Sequence, residues 1–67
     1  MISDIDIVRS AWVMIQQYGP EAVLLSARRA DNLLEQGDLD GYKMWRRIIT
    51  AIERLQAKAP AEGEATH

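Results

Sequence analysis

The sequence predicts an all-α fold: a compact three-helix bundle with one- to two-residue turns and a disordered C-terminal tail. Two glycine stops, Gly19-Pro20 and Gly37-Asp38, cut the chain into helix-sized segments. Within each segment the apolar residues recur at helical period. The final stretch, APAEGEATH, has no apolar period and too little hydrophobic content to order itself.

Helix 1 is expected to start at Ser3, which forms the S-x-x-D version of a capping box with Asp6. Ile2 and Ile7 flank that cap at the spacing of a hydrophobic staple. Asp4 and Asp6 suit the positive end of the helix dipole. The helix should run to about Tyr18 and stop at Gly19, which takes a left-handed cap at little cost. Pro20 then opens helix 2, because its missing N–H is harmless in a first turn, and the helix runs to about Gln36. Asp38 caps helix 3, which ends near Ala57, before Pro60. Gly41 in its first turn is a weak helix former, suited to close contact with a neighbour. The domain is therefore expected over residues 1–58 and the tail over 59–67.

The apolar faces are unequal. Tyr42, Trp45, Ile48, Ile49, Ile52 and Leu55 share one face of helix 3. Val23, Ala27, Ala30, Leu33 and Leu34 do so on helix 2, with Ser26 at the edge. On helix 1 the apolar residues Ile5, Ile7, Val8, Ala11, Trp12, Met14, Ile15 and Tyr18 spread wider than the ~100° stripe of an ordinary surface helix. Val13 falls outside even that arc, and Leu24 and Leu25 project toward the polar side of helix 2. A chain of 67 residues buries only about 60% of its unfolded surface. Small domains of this kind are usually reinforced by disulfides, a metal or a partner. There is no cysteine to supply the first. A central helix 1 with Leu24 and Leu25 as scattered surface residues would account for the surplus, but the preferred expectation is an interface, with Ile7, Val13, Met14, Leu24 and Leu25 as its candidate residues and a homodimer or another protein as the partner. Trp12 and Trp45 lie on apolar faces and are expected in the core.

Composition narrows the setting. No apolar run approaches the ~18 residues that a membrane span needs, and the N-terminus MISDIDIVR carries acids where a signal peptide carries basic residues. A cytoplasmic location is expected. Catalysis is poorly supplied, and no enzyme is predicted. The single histidine, His67, is the last residue, and Ser3, Ser10 and Ser26 have no histidine near them to act as a base. Asp38-Leu39-Asp40-Gly41 faintly resembles a calcium loop but lacks the ligands that should follow, so capping accounts for its acids. No cofactor, metal or small-molecule substrate is implied.

Charge is polarised along the chain. Residues 43–58 carry Lys43, Arg46, Arg47, Arg54 and Lys58 against Glu53 alone, a local +4 within a chain of net charge −2. Lys43, Arg47, Arg54 and Lys58 fall on one narrow stripe opposite Trp45 and Ile52. Such a stripe is ordinarily a solvated face. It could also meet an acidic protein, or it could lie along phosphates as in a helix-turn-helix-like nucleic-acid-binding domain. The acidic net charge weakens long-range attraction to DNA. The helix start Leu39-Asp40-Gly41-Tyr42 also lacks the Ser, Asn or Gln side chains that read base edges. A protein-interaction module is therefore the first expectation and nucleic-acid binding the alternative.

Arg29-Ala30-Asp31, Leu34, Gly37-Asp38-x-x-Gly41, Trp45-x-Arg47-Ile48 and Ala51-Ile52-x-x-Leu55 together form a pattern. It resembles that of a family of small uncharacterised bacterial all-helical proteins, over roughly residues 5–56. The W-R-A-A-like motif near the start of that family is met only in part by Val8-Arg9-Ser10-Ala11. The resemblance implies no activity. It implies that Arg29, Asp31, Trp45 and Arg47 act together, with an Arg–Asp interaction fixing the corner between helices 2 and 3.

Overall fold

The computed structural model describes the backbone of residues 3–65 and the side chains of residues 3–57. It contains α1 (Asp4–Tyr18), a 3-10 turn (Gly19–Glu21), α2 (Ala22–Glu35) and α3 (Leu39–Ala65). The all-α class is as expected, and no strand occurs among the described residues.

The helix count is not as expected. The 3-10 turn leaves no non-helical residue between α1 and α2, so residues 4–35 form one helical stretch bent at Gly19, and α3 is the second. Gly19 makes the bend possible. Its φ of 54° and ψ of −123° lie where a side chain would clash, and its N–H still donates to the Ile15 carbonyl. Pro20 sits in the 3-10 turn rather than opening α2, and Ala22 donates its N–H back to the Gly19 carbonyl. The helix end expected near Ala57 is also passed, since α3 continues to Ala65. Proline's fixed φ of about −65° is itself helical, so Pro60 removes a hydrogen bond without imposing a turn. The tail expected to be disordered over 59–67 is instead helical backbone as far as Ala65, while residues 66–67, His67 among them, and the Ile2 half of the staple lie outside the described residues.

The other caps follow the sequence. Asp6 donates its N–H to Ser3 Oγ at 3.3 Å, and Ser3 Oγ donates to Asp6 Oδ2 at 3.1 Å. At the end of α2 the chain closes a Schellman motif. The Gly37 N–H reaches the Leu34 carbonyl at 3.0 Å and the Asp38 N–H reaches the Leu33 carbonyl at 2.9 Å, with Gly37 at φ 82°. Asp38 then caps α3, accepting the Gly41 N–H on Oδ1 at 2.9 Å. A Cβ on Gly41 would stand 2.7 Å from Asp38 Oδ2, so the neighbour this glycine accommodates is the capping carboxylate. One residue thus ends α2 and starts α3, which folds the two helices into a tight antiparallel hairpin.

Packing centres on α3. Both α1 and α2 pack chiefly against it and touch each other little. Ile7 and Ala11 of α1, Ala22 of α2, and Ile48 and Ile52 of α3 form one buried cluster, with Met14, Ile15, Val23, Met44, Trp45, Ala51 and Leu55 around it. On α2 the fully buried residues are Ala22, Ser26 and Ala30, four apart. Ser26 is therefore central to the α2 face rather than at its edge. Three small side chains in one ridge let the backbones of α2 and α3 approach closely. At about 40 Å, α3 sets the long dimension of a molecule measuring 47 × 22 × 17 Å.

Ser26 Oγ is buried and has no hydrogen-bond partner among the described residues, so Ser26→Ala should leave the urea midpoint unchanged or raise it. Ser26→Leu should lower stability by about 1–3 kcal/mol through overpacking. In the same assay, Gly37→Ala should cost about 1–2 kcal/mol, because alanine must take a positive φ there.

Candidate functional site

The core leaves much apolar surface outside it. Among the described residues only seven apolar side chains are buried, three of them alanines, whereas eight large ones are exposed. Besides Tyr18, Leu34 and Leu39, the exposed set holds two groups. Ile5, Val8 and Trp12 follow i, i+3, i+7 spacing and make a continuous stripe along α1, at 66%, 42% and 47% exposure. Ile15, half-buried, extends it by one position. Val13 and Leu24 are exposed but isolated, each on the far side of its helix among polar neighbours.

The five residues expected at an interface are not placed alike: Val13 and Leu24 are exposed, whereas the other three are not. Ile7 is 5% exposed and belongs to the core. Met14 is half-buried against that core, and Leu25 is half-buried as well. Trp12, expected inside, is on the surface, where it forms a stripe with Ile5 and Val8 that the sequence reading does not anticipate. The signal was available: these three residues keep heptad-like spacing while Ile7 and Ala11 occupy the neighbouring core-facing row.

The stripe borders an open groove between α1 and α3. Ile7, Val8, Ala51 and Leu55 provide its apolar surface, with Asp4, Arg47 and Arg54 around them. Two members of the basic stripe therefore line the groove that Val8 also lines. Lys43 is exposed farther along α3 and does not line it, and the side chain of Lys58 lies outside the described residues. Arg47 Nη2 donates to Asp4 Oδ1 at 2.5 Å, tying the first turn of α1 to α3. Arg54 makes no ion pair among the described residues. A second tie closes the other end of α1, where Gln56 Nε2 donates to the Gly19 carbonyl at 2.8 Å in a partly buried setting. Because Asp4 lies by Arg47 and Gly19 by Gln56, α1 and α3 run in the same sense.

The expected Arg–Asp interaction at the α2–α3 corner is absent among the described residues. Arg47 pairs with Asp4 instead, because the α3 face that carries Arg47 looks toward α1. At the corner itself the Arg29 guanidinium lies over the Trp45 ring, 5.2 Å from its centre. Arg29, Gly37, Asp38, Gly41 and Trp45 are thus gathered at one corner, where each has a structural task.

Among the described residues no group of three or more histidine, cysteine or acidic side chains is placed to hold a metal ion. No helix there is long and apolar enough to cross a membrane. No family model matches the chain, and no curated protein or solved structure matches it.

The two ties should differ in strength. Gln56→Ala should lower unfolding free energy by about 1 kcal/mol, the worth of a partly buried hydrogen bond. Asp4→Asn removes an exposed pair and should cost less than about 1 kcal/mol. That smaller loss should shrink further in 1 M salt; denaturant titration of both variants at two ionic strengths measures the contrast.

Proposed function

We propose that this protein is a small protein-interaction module that self-associates through the outer face of α1. The observation that carries this is the Ile5–Val8–Trp12 stripe: three large apolar side chains exposed in one row, on a domain whose core is small. Trp12 has the character of an interface anchor, a large rigid ring flanked by aliphatic side chains. The polar residues Arg9 and Gln16, one turn-step away on the solvent side, would form the rim.

The alternative of nucleic-acid binding has less support. Of its four candidate cations, Arg47 is already engaged by Asp4. That acid, reaching from α1 to the stripe, lowers the positive field that a phosphate backbone would meet.

Sedimentation equilibrium over a wide concentration range tests the proposal. The parent should sediment as a dimer at high concentration. Val8→Asp and Trp12→Asp should each weaken association tenfold or more, about 1.4 kcal/mol. Val13→Asp and Leu24→Asp should leave it unchanged, since those side chains stand alone. A strict monomer, or loss of association in the Val13 and Leu24 variants only, would rule out this face.

A further inference from the structure

We infer that the dimer is isologous, with α1 of each copy seated in the α1–α3 groove of the other and the two-fold axis passing near Val8. This rests on the self-association proposed above and names the seat. Val8 belongs both to the exposed stripe and to the groove lining. In a two-fold interface each copy offers the same patch, so a residue shared by the projecting and receiving surfaces falls close to the axis.

Area points the same way. A stable interface buries about 800 Å² per partner, more than three half-exposed side chains offer. The stripe must therefore be joined by neighbouring surface, and the surface contiguous with it through Val8 is the groove, with Ala51 and Leu55 on its far side.

Charge selects a second copy as the occupant. The α3 side of the groove carries Arg47 and Arg54, while the stripe begins in an acidic first turn, Asp4 and Asp6. Within one copy Asp4 already pairs with Arg47, so a first-turn carboxylate of α1 suits this row of arginines. Arg54, with no ion pair among the described residues, is open to the corresponding turn of a partner.

The chain has no cysteine, which makes the axis directly testable. Val8→Cys and Val13→Cys variants would be oxidised with copper phenanthroline, which takes two electrons from a thiol pair as the disulfide forms. Their products would be separated on non-reducing gels. Val8→Cys should convert mostly to a covalent dimer, and Val13→Cys should stay monomeric. Arg54→Glu should weaken the parent dimer tenfold or more by sedimentation. Cross-linking at Val13 but not Val8, or an Arg54→Glu dimer as tight as the parent, would overturn the groove seat while leaving self-association standing. A parent that sediments as a monomer throughout would remove self-association itself, and the seat with it.

Discussion

The close approach of α2 to α3 is the constraint on which the rest of the structure depends. Ala22, Ser26 and Ala30 present a ridge with almost no side-chain bulk, and α3 answers with Ile48, Ile49 and Ile52. Because α2 supplies little volume, the isoleucines of α3 fill the centre. With the hairpin fixed by Gly37 and Asp38, the outward slope of α3 is left for α1. Only Ile7 and Ala11 of α1 become fully buried there. The economy of the α2 contact thus limits how much of α1 the monomer can cover, and the exposed row on α1 is its remainder.

Much of the fold was legible because local chemistry and global packing agree. Ser3 with Asp6, Gly37 with Asp38, and the helix 3 face all act as their spacing suggests. The bend at Gly19 was legible as a stop but not as a continuation. A glycine followed by proline ends one helix in either case, and the 3-10 turn depends on where α3 holds the chain. The passage of α3 through Pro60 ran against the sequence expectation because proline disfavours an interior helical position without forbidding it.

The surroundings of the candidate site were legible only in parts. The excess of apolar residues on α1 and the basic row on α3 were both visible, but nothing in the pattern said that they meet along one groove. Ile7 and Trp12 exchanged places because a wide apolar arc does not reveal which of its edges faces the core. That choice is made by the direction from which α3 arrives. Arg47 and Asp4 stand 43 residues apart, and no local spacing rule connects them.

The sequence separation of those ties has a consequence for cooperativity. The α2–α3 hairpin closes through neighbouring residues, whereas α1 is held by contacts 43 and 37 residues apart, at Asp4–Arg47 and Gly19–Gln56. Loop closure over such spans costs more entropy than a hairpin turn, and α1 recovers it with only two fully buried side chains. The first helix is therefore the segment whose docking carries the greater loop-closure cost. A molecule that covered its outer row would add binding free energy to that docking. Under the self-association proposed above, covering that row and completing the fold would be a single equilibrium.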